Sequence, residues 1–141
     1  MVLVSGVPQG SILGPILFNI FINDLVHFIK SDLVNFADDN TISEAAKSIP
    51  DLIKSLEEES NNAIEWLKIN DMIANPDKFQ AIILSRNSSK QDTYQLKFDN
   101  NVIQSSPEVI LLGMEIDNKL NFNKHVHQLV KRAGGQLNFT K

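Results

Sequence analysis

The sequence contains no cysteine and only three histidines. The missing cysteine excludes disulfides, zinc–thiolate sites, iron–sulfur clusters and cysteine nucleophiles. The sequence also lacks an excess of basic residues. Its 13 basic and 17 acidic residues give a net charge of −4, which argues against a protein that coats nucleic acid. With 43% hydrophobic and 21% charged residues over 141 positions, the composition is that of one globular domain rather than a disordered or fibrous chain.

No hydrophobic run is both long enough and apolar enough to be a membrane span. A span needs about 20 mostly apolar residues, whereas the most apolar stretch, residues 12–29, contains Asn19, Asn23, Asp24 and His27. Three of these polar residues recur at a spacing of four, which places them on one stripe of a helix. The pattern predicts a helix from Pro15 to Ile29 that is buried nearly all round. No targeting signal is visible, so an intracellular location, in the cytoplasm or nucleus, is expected.

The small net charge conceals an uneven distribution. Residues 1–117 hold 8 basic and 17 acidic residues, a net charge of −9, whereas residues 118–141 hold five basic residues and no acidic residue. The five are Lys119, Lys124, Lys131, Arg132 and Lys141. An acidic body followed by a basic C-terminal segment is more informative about partners than the average charge.

Hydrophobic periodicity and turn residues predict helices interspersed with hairpins. A helix of about 20 residues is predicted after Ser48, which has an acidic residue, Asp51, at the spacing of an N-terminal cap. The acidic run Glu57–Glu59 falls mostly on the solvated face of that helix. A short helix is predicted over Lys124–Arg132, ending at Gly134-Gly135. Strands are predicted at Leu33–Ala37, Asn40–Ser43, Phe79–Leu84, Tyr94–Phe98, Val102–Gln104, Val109–Leu112 and Met114–Ile116. These elements predict an α+β fold with helices packed on one face of an antiparallel sheet.

Asp38 and Asp39 form the first candidate site, at the tip of a predicted hairpin. On an extended strand two adjacent side chains point to opposite faces, but at a hairpin tip the backbone reverses, so that Asp38 can face a pocket while Asp39 caps or supports it. Two close carboxylates repel unless a cation lies between them, and their hard oxygens favour Mg²⁺ or Mn²⁺. The alternative is that Asp-Asp-Asn is ordinary turn composition.

The loop from Gly6 to Ser11 is the second candidate. Its two glycines permit close approach of the backbone to a ligand, Gln9 offers both a donor and an acceptor, and a helix N-terminus follows. The alternative is an ordinary turn that leads into a helix. Lys78, after a turn, could meet a phosphate, and the alternative there is a surface lysine.

Four segments of the chain carry motifs that are informative in combination. Residues 6–25 read Gly-Val-Pro-Gln-Gly-Ser-Ile-Leu-Gly-Pro-Ile-Leu-Phe-Asn-Ile-Phe-Ile-Asn-Asp-Leu, and residues 36–39 read Phe-Ala-Asp-Asp. Trp66-Leu67 is followed by Asn75-Pro-Asp-Lys78, and residues 111–117 read Leu-Leu-Gly-Met-Glu-Ile-Asp. These segments resemble the B, C, D and E motifs of reverse transcriptases from non-LTR, LINE-like retrotransposons. The resemblance covers about residues 3–137, with Phe36 where tyrosine is commonest and Asn40 where threonine is common.

The resemblance implies synthesis of DNA on an RNA template from deoxynucleoside triphosphates and a DNA primer. Two Mg²⁺ or Mn²⁺ ions would activate the primer hydroxyl and stabilise the leaving pyrophosphate. Asp38 would be a catalytic metal ligand, Asp39 its metal-binding or supporting neighbour, and Lys78 a catalytic cation near the triphosphate. Nucleotide and template binding would fall to Gly6, Pro8, Gln9, Gly10 and Ser11, and the primer grip to Leu112 and Gly113.

The same resemblance predicts a partial polymerase palm over residues 1–117 and the start of a thumb over residues 118–141, whose basic residues would contact the nucleic-acid backbone. Family members carry fingers and an A-motif aspartate before the B motif, and Met1 lies only five residues before Gly6. The fingers and that aspartate are therefore expected to be missing partners, and the chain alone is expected to be inactive. The alternative is a non-catalytic retrotransposon relic that at most binds nucleic acid weakly.

Overall fold

A computed structural model describes residues 6, 10–85 and 92–137 of the chain. Three helices are present: α1 (Gly14–Ile22), α2 (Ile49–Ile69) and α3 (Asn123–Leu137). Single 3₁₀ segments follow α1 at Asn23–His27 and precede the later strands at Pro76–Lys78. The strands are β1 (Asp32–Phe36), β2 (Asp39–Ser43), β3 (Gln95–Phe98), β4 (Asn101–Gln104), β5 (Glu108–Leu111) and β6 (Met114–Asp117). The predicted α+β class is confirmed.

The strands form hairpins rather than one sheet. In the described residues β1 pairs only with β2, β3 with β4, and β5 with β6, each antiparallel. The single antiparallel sheet predicted from the sequence is therefore wrong for this structure. Each strand has four or five residues and pairs with the strand next to it in sequence, which it reaches through a short turn.

The chain divides into two compact units, Met1–Ala74 and Asn75–Lys141. The division of function between a palm and a thumb at residues 117 and 118 stays a prediction. In the first unit the core is a cluster of Ile22, Leu25, Ile29 and Trp66. Trp66 is 2% exposed and its ring lies 5.4 Å from that of Phe21. Leu33 of β1 and Ile42 of β2 pack against this cluster, which fixes one face of the first hairpin.

Helix α1 is less buried than its sequence predicts. Phe18 and Ile22 face the core cluster, and the following 3₁₀ segment continues that stripe with buried Leu25. A second stripe is exposed to solvent, with side chains at least 49% accessible: Leu13, Ile16, Leu17 and Ile20. The segment also leaves the α-helical conformation at Asn23, six residues before the predicted end at Ile29.

Helix α2 begins where its capping residues predict. The Ser48 hydroxyl accepts the amide hydrogen of Asp51 at 3.3 Å and donates to the Asp51 carboxylate at 2.5 Å. The helix ends at Ile69, where the Asn70 side chain donates to the Trp66 carbonyl at 2.9 Å. One prediction for this helix is wrong, because Glu59 lies on its buried face with 4% of its surface exposed.

In the second unit, Leu96 and Phe98 of β3 are buried, and the Phe98 ring meets Phe79 edge-on at 6.0 Å. The strand predicted at Phe79–Leu84 is absent, since residues 79–85 have no regular secondary structure. Isolated hydrogen bonds hold this stretch instead, including one from the Ser106 amide to the Ala81 carbonyl at 2.8 Å. Helix α3 runs past Gly134 to Leu137 rather than ending there, since glycine weakens a helix by about 1 kcal/mol but does not break it.

Among the residues that the structure describes, no helix is long and apolar enough to cross a membrane.

Candidate active site

The β1–β2 hairpin presents Asp38 and Asp39 at its tip. Phe36 of β1 lies opposite Asp39 of β2, so Ala37 and Asp38 form a two-residue turn. Ala37 has a φ of 53°, a left-handed conformation that lets the chain reverse within two residues. Ala37 and Asp38 are therefore the outermost residues of the hairpin, and Asp39 is the first residue of the returning strand, one residue before the predicted start at Asn40.

The two faces of this hairpin differ in environment. Leu33 and Ile42 lie opposite each other and pack against the core, whereas Phe36 and Asp39 share the other face. Phe36 is 62% exposed, and both aspartates are exposed. A ligand can therefore reach the two carboxylates from solvent.

The donor chemistry of the tip fits a small divalent cation. Asp38 and Asp39 offer carboxylate oxygens, and Mg²⁺ binds through one or two carboxylates together with water and substrate phosphates. No third aspartate, glutamate or histidine joins them in a metal-binding group within the described part of the chain. If an ion binds at the tip, water, a substrate phosphate or a further carboxylate would complete its ligands.

Two carboxylates hold the base of the hairpin, and one of them, Glu59, belongs to α2. The Ser31 hydroxyl, directly before β1, donates to Glu44, directly after β2, at 2.5 Å. Glu44 also accepts a hydrogen bond from the Ala45 amide at 3.1 Å. The hydrogen bond from Ser31 is the largest cause that lowers the pKa of Glu44 below its ordinary value of 4.5.

Glu59 makes the second connection. Its carboxylate accepts the backbone amide hydrogen of Lys30 at 2.7 Å. Glu59 belongs to an acidic run that the sequence pattern predicts to be mostly solvated, so this contact was not predicted. A signal was present, since Glu59 follows Leu56 by three residues and precedes Ala63 by four, positions that share one helix face.

The glycine loop before α1 is described only in part. Gly6 and Gly10 have φ values of 90° and 84°, conformations that favour glycine. The Ser11 hydroxyl accepts the Gly14 amide hydrogen at 3.0 Å, so it satisfies the first backbone amide of α1. Pro8 and Gln9 lie outside the described residues.

Lys78 ends the short 3₁₀ segment of the second unit. The Asn75 side chain caps this segment by accepting the Asp77 amide hydrogen at 3.1 Å. The Lys78 side chain is exposed, as both the functional and the surface-lysine interpretations require.

Leu112 and Gly113 form the turn of the β5–β6 hairpin. Leu111 lies opposite Met114, and the two residues between them have φ values of 49° and 81°. Positive φ at both positions is the pattern of a type I′ turn, which favours Asn-Gly. Leu112 is 53% exposed at the outer end of the hairpin.

The basic C-terminal segment is only partly available to a partner. Lys124 pairs with Glu108 at 2.5 Å and also with Glu115. The hydrogen bond to Glu108 is the largest cause that raises the pKa of Lys124. Lys131 and Arg132, further along α3, are exposed.

A family model described as reverse transcriptase (RNA-dependent DNA polymerase) matches residues 2–116. Similar proteins include three from Drosophila melanogaster. The probable RNA-directed DNA polymerase from transposon BS is 25% identical over 94% of this chain and 16% of its own length. The RNA-directed DNA polymerase from mobile element jockey is 25% identical over 88% and 14%, and the probable enzyme from transposon X-element is 26% identical over 94% and 15%.

The chain thus spans about one-seventh of the length of these curated relatives. No solved structure gives a significant match. The resemblance to enzymes of non-LTR retrotransposons is confirmed by these relatives. Because the family model covers residues 2–116 of 141, the chain belongs to the reverse transcriptase (RNA-dependent DNA polymerase) family.

Proposed function

We propose that this chain is the part of an RNA-directed DNA polymerase that carries the metal-binding hairpin. The complete enzyme would transfer nucleotides from deoxynucleoside triphosphates to a DNA primer on an RNA template. The observation that carries the proposal is the exposed tip with Asp38 and Asp39 inside the segment that matches the family. Support for the whole enzyme's activity comes from the relatives, which are RNA-directed DNA polymerases by name.

Each site residue has a proposed role in that reaction. Asp38 would hold Mg²⁺ or Mn²⁺, and Asp39 would bind the ion or support Asp38. The bound ion would supply charge neutralisation for phosphoryl transfer. Lys78 would interact with the triphosphate, Leu112 and Gly113 would contact the primer, and the nucleotide and template would be bound by Gly6, Pro8, Gln9, Gly10 and Ser11.

We further propose that the 141-residue polypeptide alone does not extend a primer. The support is the donor count at the tip, since no third acidic residue or histidine joins the two aspartates among the described residues. Two-metal sites generally use more ligands than one such pair provides. Another segment or chain would have to provide the remaining carboxylate.

A chimera tests the proposed function. Residues 2–116 would replace the matching segment of the polymerase from mobile element jockey, and primer extension on an RNA template would be measured. We expect activity that Asp38→Asn lowers about 10⁴-fold, the scale of losing a catalytic group. The matched control is Asp32→Asn, an exposed carboxylate on the same hairpin at the end opposite the tip, which should retain activity. Full activity in the Asp38→Asn chimera would contradict the proposal.

A second candidate function is nucleic-acid binding without catalysis. The observation that favours it is the exposed Lys131 and Arg132 of α3, within a segment that has five basic residues and no acidic residue. A chimera that folds but is inactive, together with salt-dependent binding of duplex by the 141-residue chain, would favour this candidate.

A further inference from the structure

The hydrogen bonds at the base of the β1–β2 hairpin restrain its orientation, and Asp38 lies at the other end of the same hairpin. We call Ser31, Glu44 and Glu59, with the backbone amide of Lys30, the hairpin clamp. Ser31 and Glu44 continue the strand register by one step, because Asp32 lies opposite Ser43. Their hydrogen bond at 2.5 Å therefore closes the open end of the hairpin.

The clamp joins the hairpin to α2 in two steps. Glu59 of α2 accepts the backbone amide hydrogen of Lys30, and the next residue, Ser31, donates to Glu44 after β2. The start of β1 is thus tied directly to one rigid element, and the end of β2 is tied to it through Ser31.

Because the tip lies far from the clamp, a small rotation of the hairpin at its base moves the tip by a large distance. The five residues of β1 span about 17 Å at about 3.3 Å per residue, so a rotation of about 10° at the base moves the tip about 3 Å. Catalytic groups must be held to within about 0.5 Å of their productive positions. Packing of Leu33 and Ile42 on the core restrains one face, while the other face is exposed. The clamp supplies a restraint at the ends of the strands that this packing does not.

We propose that Glu44 and Glu59 are positioning residues, which set the orientation of the hairpin and thereby the place of the Asp38 carboxylate. The inference rests on the proposed function, because it assigns their effect to the metal-binding tip. Neither residue is expected to touch the metal or the substrate.

The test uses the 141-residue chain with Mn²⁺ as the probe. Amide hydrogen exchange of residues 32–43 is measured by mass spectrometry, and the apparent Kd of Mn²⁺ by electron paramagnetic resonance. We expect Glu59→Ala to speed exchange in the hairpin and to weaken Mn²⁺ binding about 10-fold, as for other residues that support metal ligands. Glu59→Gln should behave like the unaltered chain, because the amide oxygen still accepts the Lys30 amide hydrogen.

The matched control is Glu58→Ala, which removes a neighbouring, exposed glutamate from the same helix. If Glu59→Ala matches this control in both measurements, the positioning role is overturned. If Glu59→Ala fails to fold, Ser31→Ala decides in its place, since it removes only one hydroxyl from the clamp. Ser31→Ala should produce the same two changes, and no change in either would overturn the inference.

The variant Asp38→Asn distinguishes failure of the proposed function from failure of the positioning role. If this variant binds Mn²⁺ as well as the unaltered chain, the proposed metal role of the tip fails and the inference fails with it. If it loses Mn²⁺ while the clamp variants match Glu58→Ala, the proposed function stands and only the positioning role is overturned.

Discussion

Leu112 occupies a backbone conformation that its side chain disfavours. Its φ of 49° lies in the left-handed region, which costs an L-residue about 1–2 kcal/mol. Asparagine tolerates that region and precedes glycine in the preferred type I′ sequence. We therefore expect Leu112→Asn to raise the free energy of unfolding by about 1 kcal/mol, measured by urea denaturation. Little burial is lost, because Leu112 is exposed.

The neighbouring glycine provides the control for this prediction. Gly113 has a φ of 81°, so Gly113→Ala should destabilise the turn by about 1 kcal/mol. A stabilising Gly113→Ala would show that the turn differs from the one described. A destabilising Leu112→Asn would show instead that the Leu112 side chain makes contacts worth more than the strain. In the chimera, a Leu112→Asn variant that is stable but less active would support the proposed primer contact.

Helix α3 is attached to the β5–β6 hairpin by polar contacts around Lys124. Besides the ion pairs of Lys124, the Gln128 amide donates to Glu115 at 2.7 Å, and the backbone amide of Glu115 donates to His125 Nδ1 at 3.4 Å. We expect Lys124→Gln to loosen α3 from the hairpin, with faster amide exchange over residues 123–134. The raised pKa of Lys124 means that its contribution is present below about pH 10.5 and lost only above it, so the effect should not change between pH 6 and 9.

Lys131→Gln is the matched control for α3, because it removes the same charge from an exposed position on the same helix. Equal exchange in the two variants would mean that the ion pairs do not hold the helix. High salt should reduce the difference, since these pairs are near the surface.

At the scale of elements, the sequence was most informative where the signal is local. Ser48 and Asp51 predict the start of α2 because a cap involves residues three apart, and Asp38 is correctly placed at a turn because the hairpin closes within two residues. Two predictions that depend on distant contacts, the strand from Phe79 and the solvated position of Glu59, were wrong. The apolar stretch from Phe79 has strand composition, but composition does not reveal whether a partner strand is available. A glutamate in an acidic run is typical of a solvated position, but the Glu59 carboxylate is buried against the Lys30 amide, which lies 29 positions away in sequence.

The candidate site also has a part that the sequence reveals locally and a part that depends on distant contacts. The two aspartates are adjacent in sequence, so a motif can identify them. The residues that hold their hairpin belong to three separate segments, before β1, after β2 and within α2. Their hydrogen bonds become visible only when those segments are brought together. This explains why a resemblance identified Asp38 and gave no indication of Glu44.

At the scale of the whole molecule, the exposed stripe of α1 is expected to dominate self-association. Leu13, Ile16, Leu17 and Ile20 lie on one side of a single helix, and Ile20 is 66% exposed. Contiguous apolar surface of this kind promotes aggregation. The double variant Ile16→Glu, Ile20→Lys should therefore raise the concentration at which light scattering detects assemblies. Its Tm should change little, because the replaced side chains are exposed and the new pair has the favourable order for charges four residues apart.

The double variant Asn19→Glu, Asn23→Lys separates loss of apolar surface from gain of charge. It introduces the same two charges at the same spacing, on exposed polar positions of the same segment. We expect it to aggregate like the unaltered chain, because the apolar stripe is intact. If both double variants resist aggregation equally, charge rather than the stripe controls association. If neither does, the responsible surface lies elsewhere, with exposed Val34 and Phe36 on the outer face of the β1–β2 hairpin as the next positions to alter.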